Sequence, residues 1–147
     1  MKDVRLVLAP FAAGTEIDAF AATHSESGGI VSFTGQVRAG DGCEALELSY
    51  YAPLTLPGME ALADRALARW ALDGVLVIHR SGLMLLGETI VLAAAASRHR
   101  RDAFQAADFL MDHLKSQAWF WKREKRADGW HWIEPRGQDH ADLARWK

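Results

Sequence analysis

The first apolar positions of the chain fall two apart. Val4, Leu6 and Leu8 are spaced by Arg5 and Val7, which predicts a strand that stops at Pro10. Thr15 is placed to cap a short helix bearing Ile17, Phe20 and Ala21. Gly28-Gly29 then interrupts the pattern, and residues 30–38 read as a second strand with Gly35 inside it. A glycine within a strand signals a bulge or the close approach of another group. Ala39-Gly40-Asp41-Gly42 predicts a turn, after which Leu46, Leu48 and Tyr50 mark one face of a third strand.

Beyond Tyr50 the period changes. Pro53 and Pro57 separate the third strand from a helix whose apolar stripe is Met59, Leu62, Ala63, Ala66, Leu67 and Trp70. Asp73-Gly74 ends that stretch. Residues 75–79, 82–86 and 88–96 read as three short strands with tight connections. A second long helix is predicted over 102–115, with Phe104, Ala107, Leu110, Met111 and Leu114 as its stripe and Asp102 favouring its N-terminus. Residues 119–125 and 130–133 flank Asp128-Gly129, a hairpin signal. The order β-α-β-β-α-β-β-β-α-β-β suits an α+β fold with a mainly antiparallel sheet and a C-terminal β-hairpin. No repeat or linker divides it, so residues 1–147 are expected to form a single domain.

Composition narrows the choice. At 147 residues and 50% hydrophobic, the chain can bury a substantial core. Asp3 and Arg5 interrupt an N-terminal apolar stretch already too short for a signal peptide, and Ile90–Ala96 falls far below the roughly 20 apolar residues that cross a bilayer. The expectation is a cytoplasmic protein that binds neither membrane nor nucleic acid. Cys43 is the only cysteine, which excludes an intramolecular disulfide and a cysteine-based metal site. Asp41 and Glu44 beside it would raise the thiol pKa, so Cys43 reads as a turn residue rather than a nucleophile.

Charge is unevenly placed. The whole chain carries −2, yet Arg98–Arg126 holds eight Lys/Arg against four Asp/Glu, a local balance of +4. Such a concentration favours a small anionic substrate, a phosphate first of all. His99 and Arg100 stand where a helix begins, with free backbone N–H groups and a guanidinium fork that matches phosphate oxygens. An exposed basic turn would look the same. Lys115 follows the apolar stripe at the helix end, where it would also complement the dipole. Lys122 sits in an aromatic strand, its side chain directed with Phe120 and Glu124 rather than with the tryptophans. A lysine shielded by rings can act as base or nucleophile, and an edge-strand lysine can equally discourage aggregation. Arg38 and Arg136 are further candidate anion ligands. His79 precedes a turn and reads as structural, and His131 has no metal-ligand spacing around it.

Five segments, in order, resemble the large, catalytic subunit of molybdopterin synthase. They are Phe33-Thr34-Gly35-Gln36-Val37-Arg38, Val77-Ile78-His79-Arg80-Ser81-Gly82, Ser97-Arg98-His99-Arg100 with Ala103-Phe104, Met111-Asp112-His113-Leu114-Lys115, and Phe120-Trp121-Lys122-Arg123-Glu124 followed by Trp132. The resemblance implies an α/β-hammerhead-type α+β fold. It implies sulfurtransferase activity in molybdenum cofactor biosynthesis: conversion of cyclic pyranopterin monophosphate to the molybdopterin dithiolene. The sulfur would come from a small ubiquitin-like carrier subunit ending in a Gly-Gly thiocarboxylate, and no metal or other cofactor is implied. The assembly implied is a heterotetramer built on a homodimer of this chain.

By the same resemblance, Lys115 and Lys122 are the catalytic residues. The substrate-binding set falls on Gln36, Val37, Arg38, His99, Arg100, Lys115, Lys122, Arg123 and Glu124, with Arg136 reaching in across a dimer interface. Two departures stand out. Trp119 replaces a proline common in the family, and residues 49–57 form a longer connection than usual. The competing readings are a phosphate- or nucleotide-binding module that stacks its ligand on Trp119 and Trp130, or an inactive scaffold paralogue.

Overall fold

The computed structural model describes residues 1–38, 40, 42–116, 119–134 and 137–146. The elements run β1 (Lys2–Val7), α1 (Ala13–Thr23), β2 (Gly29–Gln36), β3 (Ala45–Tyr50), α2 (Ala52–Arg69), β4 (Gly74–Arg80), β5 (Gly82–Leu85), β6 (Thr89–Ser97), α3 (Arg100–Ser116), β7 (Phe120–Arg126), β8 (Gly129–Ile133) and α4 (Gly137–Ala144). The strands form two four-stranded sheets rather than the one expected. The first has the order β1-β4-β6-β2 and the second β5-β3-β7-β8. Among the described residues only β1 and β4 pair in parallel, so the architecture is α+β and mainly antiparallel, as the pattern implied.

The first sheet is covered on both faces. Val75 and Val77 of β4 pack with Val91 and Ala93 of β6 against α2 and α3, while Leu76, Ile78, Leu92, Ala94 and Ala96 pack beneath Phe20 of α1. Alternate side chains of a strand point to opposite faces, so two covered faces require the continuous apolar runs that β4 and β6 display. The second sheet buries one face only, through Leu46, Leu48 and Met84 with Phe120 and Ile133 against them.

Several local expectations are corrected. Thr15 does not cap α1; the cap position is Ala12, without a side-chain bond, and Glu16 in the first turn pairs instead with Arg5 at 2.6 Å. Pro53 and Pro57 lie inside α2, not ahead of it. Pro53 is in the first turn, where a missing N–H costs little, and Leu54 and Thr55 both donate to the Tyr51 carbonyl that opens the helix. Phe104 is 54% exposed, because the buried face of α3 centres on Ala103, Ala106, Leu110 and Leu114 and leaves Phe104 at its margin. Helix α4 was not foreseen. It buries none of its own residues, and Arg145 just beyond it bonds Asp108 at 2.8 Å and Asp112 at 2.6 Å on α3. The register of β2 against β6 shifts at Gly35/Gln36, the irregularity that a glycine in the strand signalled.

Candidate active site

Strand β7 separates its side chains into two sets. Phe120, Lys122 and Glu124 face inward, toward the bodies of α3 and β6, with Lys122 opposite Leu48 of β3 and Ile133 of β8. Trp121, Arg123 and Lys125 share the other face. The last turn of α3 brings Lys115 to the inward face, so two amines from different elements line one cavity. Its remaining wall is His79 and the apolar side chains of Ile90, Val91, Met111, Leu114, Phe120 and Ile133.

This inner cavity is continuous with a wider cleft of about 400 Å³ that Lys115, Lys122, Ile90 and Ile133 also line. Gln36, Val37 and Arg38 form one side of the cleft. They are held there because the Val37 N–H donates to the Glu88 carbonyl at 2.9 Å and the Val37 carbonyl accepts from Gly87 at 2.7 Å. The bulge at Gly35 turns the end of β2 toward this position. A Cβ on Gly35 would meet Val91 Cγ1 at 2.9 Å, closer than packed atoms normally approach. Glu124, ion-paired with Arg126, closes another side. The cleft sets Arg38, Lys115, Lys122 and Arg126 against Glu124, Glu134 and Asp139, and among the described residues its inner end holds the two lysines without a carboxylate, which is the part that suits an anionic group.

The electrostatics of the wall are set by burial. Desolvation pushes the His79 imidazole down to about 3, so the ring is neutral, and Lys122 and Lys115 add to that direction. The ring stacks on Phe120 at 4.0 Å between centroids and 20° between planes, and its Nδ1 lies 2.9 Å from the Arg80 carbonyl oxygen. Cys43 lines the cleft, and burial, with Glu124 beside it, pushes its thiol pKa up. The direction matches the sequence reading, but among the described residues the acidic neighbour is Glu124 rather than Glu44. Asp41 itself lies outside the described residues.

Of the sequence-derived site residues, Gln36, Val37, Arg38, Lys115, Lys122 and Glu124 come together around this cleft. Arg123 does not. It lies on the outward face of β7, bonded to Glu47 at 2.7 Å, with its guanidinium 4.5 Å from the Trp130 ring centroid. His99 and Arg100 are exposed at the opposite end of α3 from Lys115. Fifteen residues of helix at 1.5 Å each separate Arg100 from Lys115 by roughly 22 Å. Arg136 lies outside the described residues. His79, read from the sequence as structural, also lines the inner cavity, a placement that a lone histidine near the end of an apolar strand does not signal.

The sequence profile described as MoaE protein matches residues 8–117. The chain belongs to the MoaE family. It is 44% identical over 144 residues to a molybdopterin synthase catalytic subunit of Caulobacter vibrioides, covering 97% of this chain and 96% of that one. Among solved structures it resembles the MoaE protein of Burkholderia ambifaria, with a TM-score of 0.84 and 38% identity over 99% of this chain and 98% of that one. It also resembles a molybdopterin synthase from Staphylococcus aureus, with a TM-score of 0.81 and 27% identity over 91% of this chain and 98% of that one.

Both departures from the MoaE pattern meet at one place. Residues 49–57 do not make a long loop; from Ala52 onward they are the first turns of α2. The Thr55 hydroxyl of that helix donates to the Trp119 carbonyl at 2.6 Å, just before β7 begins. The segment entering the lysine-bearing strand is thereby tied to α2 through its backbone carbonyl.

Proposed function

We propose that this chain is the catalytic subunit of a molybdopterin synthase. In that role it moves sulfur from the C-terminal thiocarboxylate of a small ubiquitin-like carrier subunit to cyclic pyranopterin monophosphate, forming the molybdopterin dithiolene. The observation that carries this reading is the convergence of Lys115 and Lys122, from α3 and β7, on an inner cavity that opens into a cleft lined by residues 36–38. An extended Gly-Gly tail lacks side chains and can enter such a cleft. An amine at its end can pair with the thiocarboxylate, polarise its carbonyl, move protons, or bond covalently to the carboxyl group that is released. We assign Lys115 the principal catalytic role and Lys122 binding and proton transfer, with Gln36, Val37, Arg38 and Glu124 shaping the substrate pocket.

We further assign His99 and Arg100, with Arg136, to the site of a second copy, because one α3 cannot bring Arg100 and Lys115 to one ligand. Edge strand β2 and α3 border a shallow groove in which Phe33 is 45% and Phe104 54% exposed, and this apolar surface suits the homodimer contact. With a carrier at each end the assembly is a heterotetramer. Among the described residues no helix is long and apolar enough to cross a membrane. The relatives are bacterial proteins of cofactor biosynthesis, which a cytoplasmic site of action suits. The rival reading, a module that stacks a nucleotide on Trp119 and Trp130, is not favoured, since the Trp119 ring packs into the core beside α2 and the Trp130 ring, on the other side of β7, already carries the Arg123 guanidinium.

A dithiolene-formation assay with cyclic pyranopterin monophosphate and thiocarboxylated carrier tests the function. Product dependent on both should appear. Substrate binding without product in the presence of an active carrier would leave only a binding module.

A further inference from the structure

The turn between β5 and β6 supports the cleft from behind. Its backbone closes where the Glu88 N–H donates to the Leu85 carbonyl at 3.1 Å, and Gly87 in its third position has φ +85°, which glycine adopts without strain. One carboxylate oxygen of Glu88 accepts from two donors, the Leu85 N–H at 2.7 Å and Arg80 Nη1 at 3.2 Å. Arg80 ends β4, its side chain 5% exposed, and its Nη2 also donates to the Leu83 carbonyl at 2.9 Å. Arg80 Nε is buried without a hydrogen-bond partner, so among the described residues the guanidinium relies on Glu88 for its countercharge. Because β4 is buried along its whole length, the turn is pinned to a fixed part of the first sheet.

The same turn grips Val37, the first residue beyond β2. The Gly87 N–H donates to the Val37 carbonyl at 2.7 Å, and the Val37 N–H donates to the Glu88 carbonyl at 2.9 Å. Consecutive turn residues thus satisfy both backbone groups of Val37. Packing among Leu46, Leu48 and Met84 fixes where the Val37 side chain lies. The two hydrogen bonds fix the backbone on either side of it, where Gln36 and Arg38 line the cleft.

We propose that Glu88 is a positioning residue for the pterin substrate: its carboxylate, shared by Arg80 and the Leu85 N–H, locks the turn that sets Gln36 and Arg38 on the cleft. This assignment rests on the sulfur-transfer reading of the cleft. Glu88 is not among the residues that line the cleft, so it acts through Val37 and touches no ligand. Without the carboxylate, a buried guanidinium and a backbone N–H lose their common acceptor, and a turn closed by its own backbone alone regains freedom. The backbone of Val37 would move with it.

The test compares Glu88→Ala with Glu88→Gln, whose amide oxygen can accept the same two hydrogen bonds. Glu88→Ala should raise the KM for cyclic pyranopterin monophosphate about 10-fold or more with kcat within about threefold, because substrate binding rather than chemistry is lost. Glu88→Gln should keep KM within about threefold of the parent. Amide hydrogen exchange reads the clamp without substrate. In Glu88→Ala the Val37 and Gly87 amides should exchange about 10-fold or more faster, while those pairing β4 with β6 keep parental rates. A folded Glu88→Ala variant with parental KM or parental Val37 exchange would overturn the proposal. So would exchange accelerated evenly through both sheets, which marks general destabilisation, or a Glu88→Gln variant as impaired as Glu88→Ala. Should Glu88→Ala not fold, Glu88→Asp decides: it keeps a charge opposite Arg80 but is one methylene too short for both donors. KM and Val37 exchange should rise together in it, and parental values of both would overturn the proposal. Absence of dithiolene formation by the unsubstituted chain would instead remove the sulfur-transfer reading, while Val37 exchange and the Kd for cyclic pyranopterin monophosphate still judged the clamp.

Discussion

Trp119 occupies the space that a side chain on Gly58 would need: a Cβ there would lie 2.5 Å from the indole Cε2. The ring therefore seats directly on the backbone of α2, one turn beyond the Thr55 hydroxyl that bonds the Trp119 carbonyl. Together the two contacts connect the second turn of α2 to the entrance of the lysine-bearing strand. Gly58→Ala should consequently destabilise the fold, although alanine is the better helix former by about 1 kcal/mol. Overpacking typically costs about 1–3 kcal/mol, and the net loss in a urea titration should be about 1 kcal/mol or more. A variant as stable as the parent would mean that the indole moves aside freely.

Lys115→Ala should lower single-turnover sulfur transfer by about 10²-fold or more while leaving the melting temperature close to the parental value. Lys115→Arg should be similarly impaired, because a guanidinium stays protonated and serves neither as base nor as nucleophile. Parental rates in either variant would take Lys115 out of the chemistry.

Arg100→Ala and His99→Ala should weaken binding of the pterin phosphate by roughly 1.5–3 kcal/mol each and leave carrier binding unaffected. The separation along α3 adds a sharper expectation. Mixed dimers of Lys115→Ala and Arg100→Ala chains contain one site with both residues intact, so they should recover part of the activity that each variant lacks alone. Verified mixed dimers that stay inactive would place Arg100 outside its neighbour's site.

Acid should weaken the fold before the carboxylates titrate. Burial lowers the pKa of His79 to about 3 and lowers that of His113 as well, both from an ordinary 6.5. Below about pH 6.5 the unfolded chain takes up these protons and the folded chain does not, so stability falls as pH falls, toward the folded value near 3. The slope should reach at most about 1.4 kcal/mol per pH unit for each histidine that stays neutral. Glu16, Glu88 and Asp128, whose pKa values are lowered by their partners, give up their contributions only below their ordinary range near 4. Urea titrations between pH 6.5 and 4.5 should therefore show a flatter limb in His79→Phe. An identical slope would mean that His79 already carries its charge in the folded state.

Much of this arrangement was legible in the chain because period and punctuation are local signals. The alternation of Phe120, Lys122 and Glu124 against Trp121 and Arg123 sorted the side chains of β7 into two faces without telling which is inward, and Gly35 marked the register shift that aims residues 36–38 at the cleft. What escaped depends on long-range packing. Pro57 reads as a helix breaker, yet it lies within α2. Phe104 satisfies the helical stripe and still lies exposed, because the stripe is wide and the partner elements cover only one side of it. Helix α4 buries nothing of its own and is too short to show an apolar stripe; its end is held by Trp146, packed on Trp70 and Phe109, and by Arg145, paired with Asp108 and Asp112 of α3. The membership of the cleft was only partly readable. Arg123 adjoins Lys122 in sequence and faces away from it, whereas His79 is remote in sequence and shares its cavity.

That opposition between Lys122 and Arg123 makes the pairing of β7 with β3 a selector of chemistry. The six paired positions from Ala45↔Lys125 to Tyr50↔Phe120 determine which of two adjacent cations faces the cleft. A slip of one residue would exchange a deprotonable amine for a permanent guanidinium and turn Trp121 inward with it. Insertions that shift this ladder by one should thus silence the cleft without removing any of its residues, whereas a two-residue shift would bring Phe120 or Glu124 to the same spot. The strand works like a two-position dial, and hydrogen bonds to a neighbour keep it on the setting that can give up a proton.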